Sequence, residues 1–241
     1  DDFENTLART RLGTDRLEWS YGSVPNGKDT ADFVQVLWYN PVGEQMVEKG
    51  DVYPNLPEYY KKERISYLRL VIPASEEGDW ISLQKLISRV GEDFTDKDYI
   101  EIRVRGKGVL YVDLGTNIPE DAPRRVADGS IQGYNGELDA EGDPVTREWS
   151  QDVDDVGLDG VRGDDEDNVP GDDGNDDYRY DPSRPYDYSH INGTEGDGRL
   201  NTEDLNGNGV LDLEENYYEY RVDLEDTVFL VDEYNGWRLY Q

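Results

Sequence analysis

Cysteine is absent from this chain, and histidine and methionine occur once each. Without thiols there is no disulfide framework and no thiolate metal site, and redox usage carries no information on compartment. His190 alone cannot build a transition-metal cluster, and most catalytic triads lose their usual member; in a polar loop it reads as a solvated side chain. Cations are scarce: 24 Lys and Arg stand against 56 Asp and Glu, a formal net charge of -32. That balance excludes nucleic acid and anionic membrane surfaces as natural partners, since both recruit Lys and Arg. Also missing are any apolar run near the roughly 20 residues that span a bilayer and any signal peptide. The chain opens Asp1-Asp2-Phe3 without an initiator Met and reads as a piece of something longer.

Aromatic residues are plentiful. With 18 tyrosines and 5 tryptophans in 241 residues, the chain has the material for a real core and is no disordered acidic tail. The acidity admits two readings, a set of divalent-cation sites or a salt-adapted surface, and arginine outnumbering lysine fits the second.

Alternation of apolar and polar residues, punctuated by Gly, Pro and Asn, predicts strands at 17–21, 32–39, 65–72, 80–87, 99–105 and 109–114. Residues 41–62 read as a long loop. The turn Gly106-Lys107-Gly108 joins the last two strands of that set into an expected hairpin. From 116 to 203 Asp, Gly, Pro and Asn predominate and the periodicity stops. Tyr178, Tyr180, Tyr186 and Tyr188 are too many for a free linker, so this stretch reads as an excursion that metal orders. Strands resume at 217–224, 227–231 and 234–240, and two or three such strands are marginal alone. They are therefore expected to fold back onto the strands before residue 115. The expected architecture is all-β: one antiparallel jelly-roll-like β-sandwich over 1–241, with 116–216 as a long acidic calcium-binding insertion.

The stretch from Asp204 to Glu215 specifies a chemistry. A twelve-residue calcium loop places oxygen ligands at positions 1, 3, 5, 7, 9 and 12 and glycine at 6, because a hard cation needs six to eight oxygens around one tight turn. Those positions hold Asp204, Asn206, Asn208, the carbonyl of Val210, Asp212 and Glu215, with Gly209 sixth. Residues 217–224, just past the loop, carry a strand pattern rather than a helical one, so the two-helix lever of a sensor EF-hand is missing and a structural ion is expected. An imperfect second loop, 193–204, sets Glu195, Asp197, Asn201 and Asp204 at positions 3, 5, 9 and 12, but Gly193 supplies no side chain at the first. A further cluster comprises Asp152, Asp154, Asp155, Asp159, Asp164, Asp165, Glu166 and Asp167, whose mutual repulsion a cation or solvation must relieve. Paired carboxylates also serve glycoside hydrolysis. Glu101 and Asp113, the acids flanked by apolar residues, fall where alternation turns them to solvent, so catalysis is not expected. Asn192-Gly193-Thr194 matches a glycosylation sequon.

Three elements carry a resemblance. One is Asn201-Thr202-Glu203-Asp204-Leu205-Asn206 through Leu211–Glu215 to Tyr217-Tyr218-Glu219-Tyr220-Arg221. The second is Gln151-Asp152-Val153 with Asp155-Val156-Gly157-Leu158-Asp159-Gly160. The third is Tyr99-Ile100-Glu101-Ile102 leading to Val112-Asp113-Leu114-Gly115 and Pro119-Glu120-Asp121. In chain order they resemble SprA-type proteins, the gliding-motility and type IX secretion translocons, over about residues 80–241. The segment after Gly115 is shorter and more acidic than that family's pattern. The resemblance implies an outer-membrane protein that exports folded cargo, of which this chain is a β-rich part outside the membrane. Its partners are then other parts of the larger envelope protein or secretion-machine subunits, and its location the cell envelope or cell surface. The competing expectation is a carbohydrate-binding jelly roll with structural calcium, in which Trp19, Trp38, Trp80 and Trp237 form an exposed sugar-stacking row; burial of those rings favours the scaffold instead.

Overall fold

Short apolar stretches separated by turn residues build short strands, and every ladder between them is antiparallel. The computed structural model describes residues 10–241 apart from 74, 127, 145, 164–173, 177–178 and 192. The acids Asp164, Asp165, Glu166 and Asp167, together with Tyr178 and the sequon's Asn192, lie outside the described residues. The strands are β1 (Ser20–Tyr21), β2 (Leu37–Tyr39), β3 (Val47–Glu48), β4 (Arg64–Ile65), β5 (Arg69–Val71), β6 (Leu83–Gln84) and β7 (Ile102–Val104). They continue as β8 (Val109–Asn117), β9 (Arg124–Arg125), β10 (Ile131–Gln132), β11 (Asn216–Asp223), β12 (Leu230–Tyr234) and β13 (Trp237–Tyr240). Three single-turn helices, α1 (Lys49–Val52), α2 (Glu58–Lys61) and α3 (Gln151–Asp154), complete the regular structure beside a few 3-10 turns. Among the described residues no helix is long and apolar enough to cross a membrane.

Side-chain caps shorten several expected strands. The Asp15 carboxylate accepts from the Leu17 amide at 3.0 Å and winds 16–18 into a 3-10 turn, which leaves only Ser20–Tyr21 extended. Asp29 does the same to 30–32 through the Ala31 amide at 2.9 Å, so the 32–39 strand is confined to β2. The 65–72 run divides into β4 and β5 where Ser66 Oγ donates to the Pro41 carbonyl and Asn40 Nδ2 to that of Tyr67. The expected loop 41–62 holds β3, α1 and α2, with β3 paired to β4.

Strand β2 is buried on both faces. Because successive side chains point to opposite sides, Val36 and Trp38 meet Trp19, Tyr21, Leu68, Ile81 and Leu83 on one side. On the other, Leu37 and Tyr39 meet Ile191, Tyr180 and Tyr188 from the acidic stretch.

The expected hairpin of 99–105 with 109–114 does not form. β7 pairs with β13 and β8 with β11, so the two strands enter different sheets. The physical reason is burial: Val104 of β7 and Leu110 of β8 pack from two sheets onto one cluster of Val222, Leu224 and Tyr240. A shared ladder would have set them side by side with one face bare. The C-terminal strands thus return to strands before residue 117. At their end β12 and β13 are joined by Asn235-Gly236, both at positive φ, as a two-residue hairpin turn requires. The 227–231 strand begins only at Leu230, since Asp226 Oδ1 accepts from the Thr227 and Val228 amides and curls that stretch into a turn.

Candidate functional site

Between Asn117 and Asn216 there are few apolar side chains, yet the backbone turns repeatedly and its amides need acceptors once buried. Acidic side chains supply them. Glu120 is buried and accepts from Leu205 N–H at 2.9 Å and Asp212 N–H at 3.1 Å. Buried Asp121 accepts from Asn135 and Gly136 N–H. Glu203 takes Ala122 N–H at 3.0 Å and Asp139 N–H at 3.2 Å, and Glu141 takes those of Val156, Gly157 and Asn201. Each carboxylate ties together backbone segments far apart in sequence. The buried guanidinium of Arg124 is 2.7 Å from Asp139 and 3.8 Å from Glu203, a single positive centre among these acids.

The 204–215 stretch forms a wound loop. Asp204, 3% exposed, accepts from Gly207 N–H at 2.7 Å, Asn208 N–H at 3.0 Å and Gly209 N–H at 2.8 Å. Gly209 has φ 79, the left-handed geometry that position 6 demands. Asn206 and Asn208 both direct their side-chain amides to Asp212 Oδ2, at 2.6 and 3.3 Å, so positions 3, 5 and 9 converge. Glu120 clamps the loop from outside: besides its two acceptor bonds, its own N–H donates to the Asp212 carbonyl at 2.9 Å. Val210 is exposed, and Glu215 is exposed where the chain enters β11.

The 193–204 stretch is not one ring. Glu195, buried, accepts from Gly163 N–H at 2.6 Å, while Asp204 turns into the following loop. Asp197 accepts from Arg199 N–H at 2.8 Å, and Asn201 Nδ2 donates to the Thr194 carbonyl at 3.0 Å. The expected set of Glu195, Asp197, Asn201 and Asp204 is therefore divided between two places, because each acid takes the nearest unpaired amides. Asp155 crosses to this stretch, accepting from Gly198 N–H at 3.0 Å. Asp159 instead closes its own turn on Val161 N–H at 2.8 Å and joins none of them.

Burial pushes Glu141 up to about 7, with Asp155 and Asp197 adding to the rise against the pull of its amide donors. Glu203 is also pushed to about 7, chiefly by burial, and Asp197 to about 6 by burial, with Asp155 beside it. Glu120 and Asp121 rise for the same reason. Such shifts mark negative charge held in a poorly solvated place, which a proton or a cation relieves. Among the described residues no three carboxylate, imidazole or thiolate side chains already converge as a ready metal cage. Its absence has a cause in the bonding: Asp204 spends both oxygens on amides, and Asp212 is drawn to two amide side chains. Those oxygens and amides are nonetheless the donor chemistry a hard cation takes.

Sequence reasoning missed Glu141 as a site residue, and used Glu120 and Glu203 only within motifs. The available signal was weak: acids beside Gly or Pro in a stretch with too little apolar material to fold otherwise. Asp113, expected at the surface, is half-buried opposite Glu219 on β11, and burial together with that like charge raises it. His190 Nδ1 lies 2.7 Å from the Asn175 carbonyl. Comparison with protein-family models, curated proteins and solved structures finds no match.

Proposed function

We propose that this chain is a non-catalytic, calcium-stabilised cell-surface module of a protein secretion or gliding-motility translocon. The observation that carries the calcium part is the loop itself: Asp204 wraps three backbone amides while Asn206, Asn208 and Asp212 meet at one point. The ion is held there by these residues, the Val210 carbonyl and Glu215, whose exposed carboxylate swings in to close the far side. A bound ion replaces the two amide donors at Asp212, and the flipped Asn206 and Asn208 side chains offer their oxygens instead. In this reading the acidic excursion from a jelly-roll-like sandwich is built by cation and carboxylate together. Packing of two sheets on Val222, Leu224 and Tyr240 supports the sandwich.

The translocon part rests on the three resembling sequence elements. It assigns as partners the remainder of an envelope protein or its secretion-machine subunits, at the outer membrane. The carbohydrate-binding alternative is less well supported: Trp38, Trp80 and Trp237 are buried, so they offer no stacking row. The cavity between Trp19, Trp38, Arg124 and Glu203 is about 60 Å³, room for water but not for a sugar ring, and the wider hollow of about 340 Å³ beside Arg124, Tyr134, Asn135 and Asp139 has no tryptophan in its wall.

The test is Ca²⁺ calorimetry on the chain and on Glu215→Gln, which removes the closing bidentate carboxylate. One ion fewer, or affinity at least tenfold weaker, is expected. Equal stoichiometry and affinity would sink the loop assignment.

A further inference from the structure

Asp155 follows α3 and is 3% exposed. Its Oδ2 accepts from Gly198 N–H at 3.0 Å, but Oδ1 is buried and has no hydrogen-bond partner. Asp197, one residue before that glycine, repeats the pattern: Oδ1 accepts from Arg199 N–H, and the buried Oδ2 makes no hydrogen bond of good geometry, since the Asn201 side-chain amide near this carboxylate donates to the Thr194 carbonyl at 3.0 Å. The bond from Gly198 N–H brings the two carboxylates, more than forty residues apart in sequence, onto neighbouring turns, and the Asp155 charge adds to the rise of Asp197. Glu141 braces the two turns. Its Oε1 holds the Val156 and Gly157 amides at 3.1 and 3.0 Å, and its Oε2 holds that of Asn201 at 2.9 Å, so one side chain anchors both segments.

No arginine or lysine among the described residues forms an ion pair with Asp155 or Asp197. The nearest candidate, Arg199, directs its guanidinium to the Leu17 carbonyl at 3.2 Å. A buried carboxylate oxygen without a direct hydrogen bond or ion pair carries a desolvation cost that nothing nearby offsets in full. Two of them stand on neighbouring turns, and the charge of Asp155 raises Asp197 further. An oxygen-only ligand set with no sulfur and no imidazole is the preference of a hard divalent cation.

We propose that Asp155 Oδ1 and Asp197 Oδ2 ligate a second Ca²⁺, in a site braced by Glu141 and separate from the 204–215 loop. Main-chain carbonyls and water complete its six to eight oxygens. The ion staples the turn after α3 to the 193–201 stretch. This site differs from a linear twelve-residue loop, since its ligands come from two distant segments. It does not depend on the 204–215 reading.

Calcium titration of the full chain, with bound metal counted after gel filtration, tests it on Asp155→Asn, Asp197→Asn and Glu215→Gln. The expected result is that either aspartate variant loses one ion per chain and the double variant loses no more. Glu215→Gln loses a different ion, so combining it with Asp155→Asn removes two. Should Asp155→Asn fail to fold, Asp197→Asn, at a less buried position, gives the same readout. Full stoichiometry with unchanged affinity in a folded aspartate variant overturns this site while leaving the loop untouched. Loss in the aspartate variants with none in Glu215→Gln does the reverse. A parent chain that binds no Ca²⁺ overturns both.

Discussion

The strand-built frame and the acidic stretch between Asn117 and Asn216 are held together by opposite means. In the frame, Phe33 packs on Trp80, Val36 and Trp38 share one apolar cluster, and Val222 and Tyr240 share another, all out of water. In the stretch, Glu120, Glu141, Asp155, Glu195, Glu203 and Asp204 are buried instead. The first kind of core gains about 25 cal/mol for each Å² of apolar surface removed from water and is indifferent to ions. The second gains about 1.5–3 kcal/mol per charged hydrogen bond and sets this against the cost of desolvating each carboxylate. A core of that second kind is coupled to protons and cations by its nature. The two are joined where Ile191 and Tyr180 pack on Leu37 and Tyr39, and where Arg125 bonds the Phe33 carbonyl and the Gln35 side chain.

The contrast breaks most visibly at its apolar end. Trp38→Ala empties the centre of the frame and removes the indole donor to the Arg16 carbonyl. A loss of about 3–5 kcal/mol is expected in denaturant unfolding, the same in Ca²⁺ and in chelator. A loss that Ca²⁺ abolished would mean the frame, too, is cation-built.

Next in size is Glu141→Ala, which strands three backbone amides and should cost about 3 kcal/mol. Hydrogen exchange should report faster opening at Val156, Gly157 and Asn201, with the amides of β8 and β11 little changed. Uniform acceleration across the chain would erase the distinction between the two regions.

Calcium itself sharpens the comparison. At a hundredfold excess over its Kd, each ion bound only by the folded chain adds about 2.7 kcal/mol. Sodium chloride at equal ionic strength screens diffusely, over about 10 Å at 0.1 M, and should fall well short. Molar NaCl reproducing the full calcium effect in a melting series would make the acidity a salt adaptation.

The smallest effect is that of pH in chelator. Glu141 and Glu203 stand near 7 in the folded chain, against the usual 4.5. The stability this contributes is complete below about 4.5, where folded and unfolded chains both hold the proton. It is lost as pH rises through about 7 and the folded chain gives its proton up. Lowering pH from 7.5 to 6.5 should therefore raise Tm by about 2–4 °C, the shift that about 1 kcal/mol produces in a chain of this size. In saturating Ca²⁺ the slope should reverse, because protons compete with the ion for the carboxylates. A flat Tm in chelator would mean these acids are better solvated than their burial implies.

Much of the strand content was legible because local alternation is a local property. The 109–114 and 217–224 runs appear as β8 and β11 nearly where the pattern sets them. The short strands were harder, since an aspartate two residues away, as at Asp15 and Asp29, outbids the ladder for an amide. The winding of 204–209 was legible too, as its spacing and Gly209 are contained within one turn. Its clamp was not, because Glu120 lies 85 residues upstream of the amide it takes from Leu205.

By itself the sequence determined the long strands at 109–114 and 217–224, the tight winding of 204–209, and that acids rather than apolar side chains must organise the stretch after Asn117. The tertiary structure alone decided partners: β7 with β13 rather than β8, and Asp155 with the Gly198 amide 43 residues along the chain. Pairing and burial depend on what arrives from far along the chain to cover a face or satisfy a charge. Residue spacing within one segment holds no record of that.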